Sequence, residues 1–275
     1  MRFSLALLFL IAALPECIGQ AATIIRINNV NVVDVKTGKI IPDQYVLIRN
    51  RDIFAVEPAK KSKPIEGAIE IDGRGKYLMP GMTDAHIHFF QSGGLYTRPD
   101  AMNLGHVYSY EKDQQWIKDN LPDLMSRYVA CGITNVIDVG GPFSNYAVRG
   151  KLDSAGMNAP TAFVTGPLIS TYLPPNLDKK DPPIVKIGSP EEARELVRKQ
   201  LPYKPDFIKI WYIVLPNQSA TSTLPIVEAT IDESHKNGLK VAVHATEYET
   251  AKLAVTAGAD ILVHSVDDKV LDKEM

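Results

Sequence analysis

Two histidines separated by one residue, His86 and His88, follow an apolar segment that begins near residue 78. We predict that this segment is a β-strand, in which alternate side chains point to the same side. Both imidazoles can then reach one divalent cation, since imidazole nitrogen is a common zinc ligand. The pair alone is weak evidence, because two histidines can fall two residues apart by chance.

Two further histidines, His244 and His264, end apolar segments that we predict to be later strands. Catalytic groups of α/β barrels stand at C-terminal strand ends, so all four imidazoles would face the same opening. Either residue alone would be interpreted as a packed or surface histidine. The chain has six histidines, and the concentration of four at strand ends predicts a metal site. His106, in a predicted loop, and His235, near a predicted helix end, are not assigned to it.

Lys209 lies inside the apolar segment 207–212, which we predict to be another strand. Lysine is rarely buried without a partner, so one interpretation is a strand-end ammonium that reaches solvent. The other is a functional lysine, because burial and nearby cations lower the pKa of a lysine and favour its neutral amine. Carbon dioxide can add to that amine, and the resulting carbamate is an anionic ligand able to bridge two cations.

The segments that position these residues alternate between strand and helix from about residue 78 onward. This alternation is typical of a parallel sheet or an α/β barrel. Six strands are predicted, at about residues 78–88, 133–138, 161–167, 207–212, 240–245 and 261–265. Residues 89–115 and 168–188 are predicted to be long loops, which in a barrel lie on the active-site face.

Glycines and capping residues predict where the helices begin and end. Ser189 precedes a proline and a glutamate as a helix N-cap would, and Thr246 with Glu249 forms a second predicted capping box. Three glycines follow predicted helices and would adopt the left-handed cap without strain: Gly132, Gly238 and Gly258.

The N-terminal part of the chain has a different pattern. Residues 1–21 combine a positive start, an apolar stretch and small residues before a cleavage position, which predicts a secretory signal peptide. Residues 22–77 contain short β-rich segments separated by turns, so we expect part of a small β-sandwich domain before barrel residues 78–275. The protein is therefore expected to be secreted or periplasmic, with no stable membrane span after signal cleavage.

Composition narrows the class of protein. The 275 residues include 30 lysines and arginines against 32 aspartates and glutamates, a formal net charge of −2. This balance gives no reason to expect a nucleic acid partner, which binds basic patches. Of the two cysteines, Cys17 lies in the predicted signal, so no disulfide framework is expected. Cys131 is predicted to be a buried core residue at a helix end.

Residues 77–88 (YLMPGMTDAHIH) resemble the signature of the metal-dependent amidohydrolase superfamily. The chain is similar, more narrowly, to the imidazolonepropionase-like and dipeptidase-like branch. Residues 207–210 resemble the lysine segment of that family, and residues 243–245 and 263–265 resemble its later histidine segments. The resemblance implies an α/β fold, a TIM (β/α)8-type barrel of which the first six strands are present.

The resemblance also implies a ligand set and a reaction. His86 and His88 would bind the more buried metal. His244 and His264 would bind the second, and carboxylated Lys209 would bridge the two. Two divalent ions, with zinc best suited to these ligands, would hold a bridging hydroxide that hydrolyses a carbon–nitrogen bond. That bond would belong to an amide, cyclic amide or peptide, and the small-molecule substrate to the dipeptide or cyclic-amide class.

Other interpretations follow from a residue that the family uses and this sequence does not supply. Most members have an aspartate after the eighth strand as metal ligand and proton shuttle, and that strand would lie beyond Met275. We therefore expect a C-terminally incomplete chain and assign no catalytic residue. The alternative function is an inactive fragment or pseudoenzyme that retains metal or ligand binding. A mononuclear deaminase is a third interpretation, which Lys209 disfavours because a bridging carbamate requires two metals.

Overall fold

The computed structural model of the chain describes residues 22–91, 102–154, 156–216, 218–273 and 275. These residues form two compact units, one ending at Pro80 and one running from Gly81 to Met275. The predicted signal peptide, residues 1–21, lies outside the described residues, as does part of the predicted loop 89–115.

The first unit is a five-stranded sheet around one long strand. Its strands are β1 (Ile24–Asp34), β2 (Lys39–Arg49), β3 (Asp52–Pro58), β4 (Ile69–Asp72) and β5 (Tyr77–Leu78). β2 pairs antiparallel with β1 and β3, whereas β4 and β5 pair parallel with β1. The described residues of this unit form a single sheet, so the sandwich stays a prediction.

One face of this sheet is aliphatic. Ile25 pairs with Ile48 on one side and Ile69 on the other, and directly paired residues point to the same face. With the residues that pair in the same way, the aliphatic face consists of Ile25, Ile27, Val46, Ile48, Ile53, Val56, Ile69 and Ile71. Its members on the edge strands β3 and β4 are between 40% and 69% exposed.

The second unit alternates parallel strands with helices, which confirms the predicted α/β class. One sheet contains β6 (Met82–Ile87), β7 (Ile133–Asp138) and β8 (Thr161–Val164). The other contains β9 (Leu168–Ser170), β10 (Ile184–Lys186), β11 (Phe207–Trp211), β12 (Lys240–His244) and β13 (Ile261–Leu262). Its spatial order is β10-β9-β11-β12-β13. Among the described residues, the ladders of these two sheets do not close into a ring.

The prediction of a long loop over residues 168–188 is wrong in part. This segment contains β9, a turn of 3-10 helix at Pro175–Leu177, and β10. β9 and β10 pair in parallel through Leu168 and Ile184, and both of these side chains are buried. Strands of three residues are too short to show a period in the sequence, so only their burial reveals them.

Five helices connect the strands: α1 (Tyr110–Ala130), α2 (Asn145–Leu152), α3 (Pro190–Gln200), α4 (Ala220–Lys236) and α5 (Tyr248–Thr256). The N-cap of α3 is confirmed, since Ser189 Oγ accepts a hydrogen bond from Glu192 N at 3.2 Å. The three predicted glycine caps are also confirmed by positive φ angles. Within the described parts of the chain, none of the helices has both the length and the apolar character to cross a bilayer.

Two local predictions are wrong. α5 begins after Glu247, whose side chain makes no capping bond, and Thr246 lies outside the helix. The N–H of Tyr248 donates instead to Asp268 Oδ1 at 2.7 Å, so the first turn is capped from a distant segment. Cys131 is exposed rather than buried, because it lies past the last turn of α1 as its C-cap.

The largest core cluster of the second unit lies where β11 and β12 pack against α3, α4 and α5. Ile208 and Ile210 of β11 and Val241 and Val243 of β12 are at most 2% exposed. Each fully buried aliphatic side chain of this kind contributes about 1.5–3 kcal/mol to the free energy of unfolding. Because side chains alternate along a strand, Lys209 points to the opposite face of β11.

Candidate metal centre

The four predicted histidine ligands lie at the C-terminal ends of strands and form a row of adjacent rings. The ring centroids of His88 and His86 are 5.3 Å apart, and those of His86 and His264 are 4.7 Å apart. His244 closes the row at 4.5 Å from His264. The structure therefore brings together residues from β6, β12 and the end of β13.

These rings and Lys209 line one cavity of about 580 Å³. All five residues that the sequence predicts as metal ligands thus face the same space. Of the two histidines not assigned to the site, His106 is exposed in a turn. His235 lies in the last turn of α4, where its Nε2 is 2.9 Å from Asp260 Oδ2.

Lys209 reaches the cavity from the inner face of β11 and is only 1% exposed. Its burial lowers the pKa of the ammonium to about 7, and no described carboxylate lies close enough to oppose this shift. Near neutral pH a substantial fraction of the side chain is therefore the neutral amine. The interpretation of Lys209 as a solvent-reaching ammonium does not agree with this environment.

Three of the histidines, His86, His244 and His264, are kept neutral by the same environment. Burial, followed by the charge of Lys209 and the neighbouring imidazoles, lowers the pKa of His244 to about 3. Burial is also the main cause that lowers the pKa of His86 and of His264. Neutral imidazole keeps a nitrogen lone pair, which is the form that binds a metal ion.

The orientation of His88 is set by a backbone carbonyl. His88 Nδ1 lies 2.6 Å from Gly140 O, so Nδ1–H is the donor and Nε2 carries the lone pair. Gly140 adopts a φ of 121°, and a Cβ there would lie 2.5 Å from Leu168 Cδ1. Only glycine therefore allows the chain to place this carbonyl against His88 without moving β9.

Asp138, at the end of β7, supports this arrangement and was not assigned by the sequence analysis. Its carboxylate is fully buried. Oδ2 accepts a hydrogen bond from Asn145 Nδ2 at 2.7 Å, and Oδ1 accepts one from Gly140 N at 3.3 Å. Burial raises the pKa of Asp138 to about 7. A strand-end carboxylate followed by two glycines is the sequence signal that could have identified it.

Asp84 lies on β6, two residues before His86. Its Oδ1 accepts a hydrogen bond from the backbone N–H of His86 at 3.2 Å. Asp84 therefore acts on the backbone that carries the first histidine.

The donor set fits divalent ions that prefer nitrogen and oxygen ligands. Among the described His, Cys, Asp and Glu side chains, no group of three is placed so as to hold an ion by itself. Lys209 is the group in the cavity that carboxylation could convert into an oxygen ligand, and its buried amine has no carboxylate partner among the described residues.

Comparison with known proteins identifies the family. Residues 77–270 match the sequence profile of the Amidohydrolase family, and this range includes all five predicted site residues. The chain belongs to the amidohydrolase family. The resemblance seen in the motif around His86 and His88 is thereby confirmed.

Individual relatives are similar over part of their length. An adenine deaminase from Desulforamulus reducens is 39% identical over 70 residues, which is 26% of this chain and 11% of that protein. A prolidase solved in complex with N-methylphosphonate-L-proline superimposes with a TM-score of 0.70 at 20% identity, over 89% of this chain and 62% of that one. Phenylurea hydrolase B gives a TM-score of 0.70 at 18% identity, over 87% and 59%.

The chain therefore spans about 60% of the length of these two solved chains. At such identities the structural likeness shows a shared fold.

Proposed function

We propose that the chain is part of a metal-dependent hydrolase that cleaves an amide, cyclic amide or peptide bond. The observation that carries this proposal is the meeting of four histidines and one buried lysine in a single cavity. Family membership supports the reaction class. The names of the relatives, a deaminase, a prolidase and a phenylurea hydrolase, agree with it.

The proposed centre contains two divalent ions, with zinc as the best-suited metal. His86 and His88 would hold one ion. His244 and His264 would hold the other, and carboxylated Lys209 would lie between them. Bound divalent ions lower the pKa of water towards neutrality and polarise a carbonyl group for attack.

The residues of the chain prepare this centre in three ways. Gly140 O fixes the His88 tautomer so that Nε2 carries the lone pair that a metal ligand requires. Burial keeps His244 and its neighbours unprotonated, so that metal binding does not compete with a proton near neutral pH. The neutral Lys209 amine can add to carbon dioxide, forming an N–C bond and releasing one proton to give the carbamate.

The proposal extends to the fold of the second unit and to the cellular location of the protein. We infer that the parallel strands β6, β7, β8, β11, β12 and β13 are six strands of a (β/α)8 barrel. The four histidines stand at or just after the C-terminal ends of β6, β12 and β13, where barrel enzymes keep their catalytic groups. The pattern of residues 1–21 supports a secreted or periplasmic protein.

A deaminase with a single metal is the second candidate function. It is favoured by the local similarity to adenine deaminases, one of which is 39% identical over 70 residues. The buried Lys209 favours the binuclear hydrolase instead, since a carbamate bridge serves two ions. The number of bound metals distinguishes the two candidates.

The test is metal analysis of the purified, zinc-reconstituted protein with and without Lys209. We expect two ions per chain in the parent and loss of at least one in Lys209→Ala, together with loss of amide hydrolysis. A 13C-carbonate label should give a carbamate NMR signal in the parent alone. Lys199→Ala, an exposed lysine near the end of α3, is the matched control and should keep both ions.

Retention of both ions and full activity in Lys209→Ala would overturn the bridge assignment. One ion in the parent, with release of ammonia from adenine or a related base, would favour the deaminase. A folded, metal-loaded protein that hydrolyses no carbon–nitrogen bond would support the inactive pseudoenzyme instead.

A further inference from the structure

The cavity has two walls of different chemistry. One wall consists of the four histidines and Lys209. The other, here called the apolar wall, is formed by Phe90, Leu168, Leu177, Ile184 and Trp211. The remaining lining residues come from the end of β6, the segment after it and α1, and all of them except Gln91 and Tyr128 are apolar. Three residues of the apolar wall come from the segment 168–188, where β9, the 3-10 turn and β10 pack them into a common cluster with Tyr110. This apolar wall is therefore a built part of the structure and not a loose loop.

Two aromatic rings of the apolar wall stand directly against the histidine row. The Phe90 ring is 5.4 Å from the His88 ring with the planes at 65°. The Trp211 ring is 6.0 Å from the His244 ring with the planes at 74°. A group attached to a carbonyl at the histidines can therefore lie along this aromatic and aliphatic surface.

The apolar wall is also tightly packed. Phe90, Leu168, Leu177 and Ile184 are between 3% and 7% exposed, although each also lines the cavity. Such a surface is preformed and needs little ordering when a ligand binds. It favours an apolar group whose shape fills the space, since burial of apolar surface is the main favourable term.

The charges around the cavity disfavour an anionic substrate. Among the described residues that line it, none is an arginine, and Lys209 is the single lysine. The neighbouring Lys179 does not line the cavity; its ammonium is 3.4 Å from Glu111 and lies over the Tyr110 ring. A carboxylate placed against the apolar wall would lose water without gaining a cationic side chain among the described lining residues as a partner, which raises its free energy.

We infer that the substrate is a neutral amide, carbamate or urea whose apolar or aromatic group lies against Phe90, Leu168, Leu177, Ile184 and Trp211. This inference rests on the proposed hydrolase function and narrows its substrate class. Of the dipeptide and cyclic-amide classes expected from the sequence, it disfavours the dipeptide, because a dipeptide presents a free carboxylate.

A matched pair of compounds tests the inference. Phenylacetyl-pyrrolidine and phenylacetyl-proline contain the same tertiary amide and differ by one carboxylate. We expect the zinc-reconstituted protein to prefer the neutral compound at least about tenfold in kcat/KM, since the carboxylate must be desolvated without a partner. Equal or better hydrolysis of phenylacetyl-proline would overturn the inference and leave the hydrolase proposal intact.

Binding provides a second measurement that does not depend on turnover. The chain has two tryptophans, and Trp116 lies on α1 outside the cavity lining. In a Trp116→Phe background, Trp211 fluorescence reports occupancy of the apolar wall. The neutral compound should bind at least about tenfold more tightly than phenylacetyl-proline. Tight neutral binding without any hydrolysis would count against the proposed function and not against the substrate class.

A matched pair of variants tests whether the neutral compound binds at the apolar wall. Ile184→Thr places a hydroxyl on the apolar wall and should weaken binding of phenylacetyl-pyrrolidine roughly fivefold. Val185→Thr makes the same kind of change at the next position of β10, which does not line the cavity, and should leave binding unchanged. Equal effects of the two variants, or none from Ile184→Thr, would show that the apolar wall does not bind the substrate.

Discussion

Lys209 and His244 face the cavity from the neighbouring strands β11 and β12, where Trp211 pairs with His244 and Lys209 with Ala242. Both lose water on folding, and no described carboxylate holds either in its charged form. Folding therefore favours the unprotonated state of both side chains. As a result, the free energy of unfolding depends on pH, and this dependence is measurable in the metal-free protein.

The pKa of His244 is about 3 in the folded chain and 6.5 in the reference state. Between these values the unfolded chain binds more protons, so the stabilising contribution is complete above about 6.5 and is lost as the pH falls towards 3. The lowered pKa values of His86 and His264 act in the same direction. In urea unfolding of the metal-free protein, the midpoint urea concentration should therefore decrease as the pH is lowered through this range.

His244→Asn should flatten that profile, because asparagine takes up no proton on unfolding. His106→Asn removes an exposed histidine from a turn and should keep the parental slope. If His244→Asn lost stability on acidification as steeply as the parent, the buried imidazole would not be its cause.

Asn145 is expected to be important for stability because it is a hydrogen-bond donor to a carboxylate without solvent access. Asn145→Ala leaves Asp138 Oδ2 without that donor and should lower the free energy of unfolding by about 1–3 kcal/mol. Asn120→Ala, which removes an exposed amide on α1 that donates to Trp116 O, should have little effect. Equilibrium urea unfolding compares them, and equal stabilities would contradict the assigned role.

Among the helices, α2 and α3 allow a direct comparison of two N-cap serines. Ser189 Oγ accepts the Glu192 N–H at the start of α3, whereas the Ser144 side chain makes no capping bond to α2. Ser189→Ala should therefore cost about 1 kcal/mol of unfolding free energy, as the loss of an N-cap usually does. Ser144→Ala should change the same quantity by much less. Similar losses in both variants would mean that capping is not the cause.

The sequence predicts elements well where one local rule decides the structure. The proline and glutamate after Ser189 start α3, and the glycines after α1, α4 and α5 end these helices with positive φ. Each of the six predicted strand segments contains an observed strand, although β6, β8 and β13 are shorter than predicted. The four histidines line one cavity, as predicted from alternation along the strands and from their positions at strand ends.

The features that the sequence analysis missed depend on contacts between residues that are distant in the sequence. α5 is capped by Asp268, whose Oδ1 accepts the backbone N–H of Tyr248 from twenty positions away. The local pattern at Thr246 is therefore misleading. β9 and β10 exist because their residues pair and become buried together. The role of Asp138 depends on Asn145 and Gly140, whose positions require the folded turn between β7 and α2.

At the scale of the molecule, the first unit leaves apolar side chains at the edges of its sheet. Ile53 on β3 is 69% exposed and Ile69 on β4 is 54% exposed, both on the aliphatic face. Exposed apolar surface of this kind promotes association. Ile53→Lys should therefore lower both self-association in sedimentation velocity and binding of a hydrophobic dye, the latter by about half, without loss of secondary structure.

Val35→Lys is the matched control, because Val35 is 59% exposed in the turn after β1 and does not belong to the aliphatic face. It introduces the same charge and should leave association unchanged. An equal decrease in both variants would assign the effect to net charge and not to the sheet.

The contact between His86 and Val263 has a consequence for the order in which the protein is made. His86 Nδ1 and Val263 O are 177 positions apart. At a synthesis rate of roughly 5–20 residues per second, this separation of 177 residues corresponds to roughly 10–35 s of translation. During that interval His86 and His88 have emerged without His264. The complete histidine row can therefore bind metal only after His264 has been synthesised. Before that, His86 and His88 are exposed to cations without the complete row.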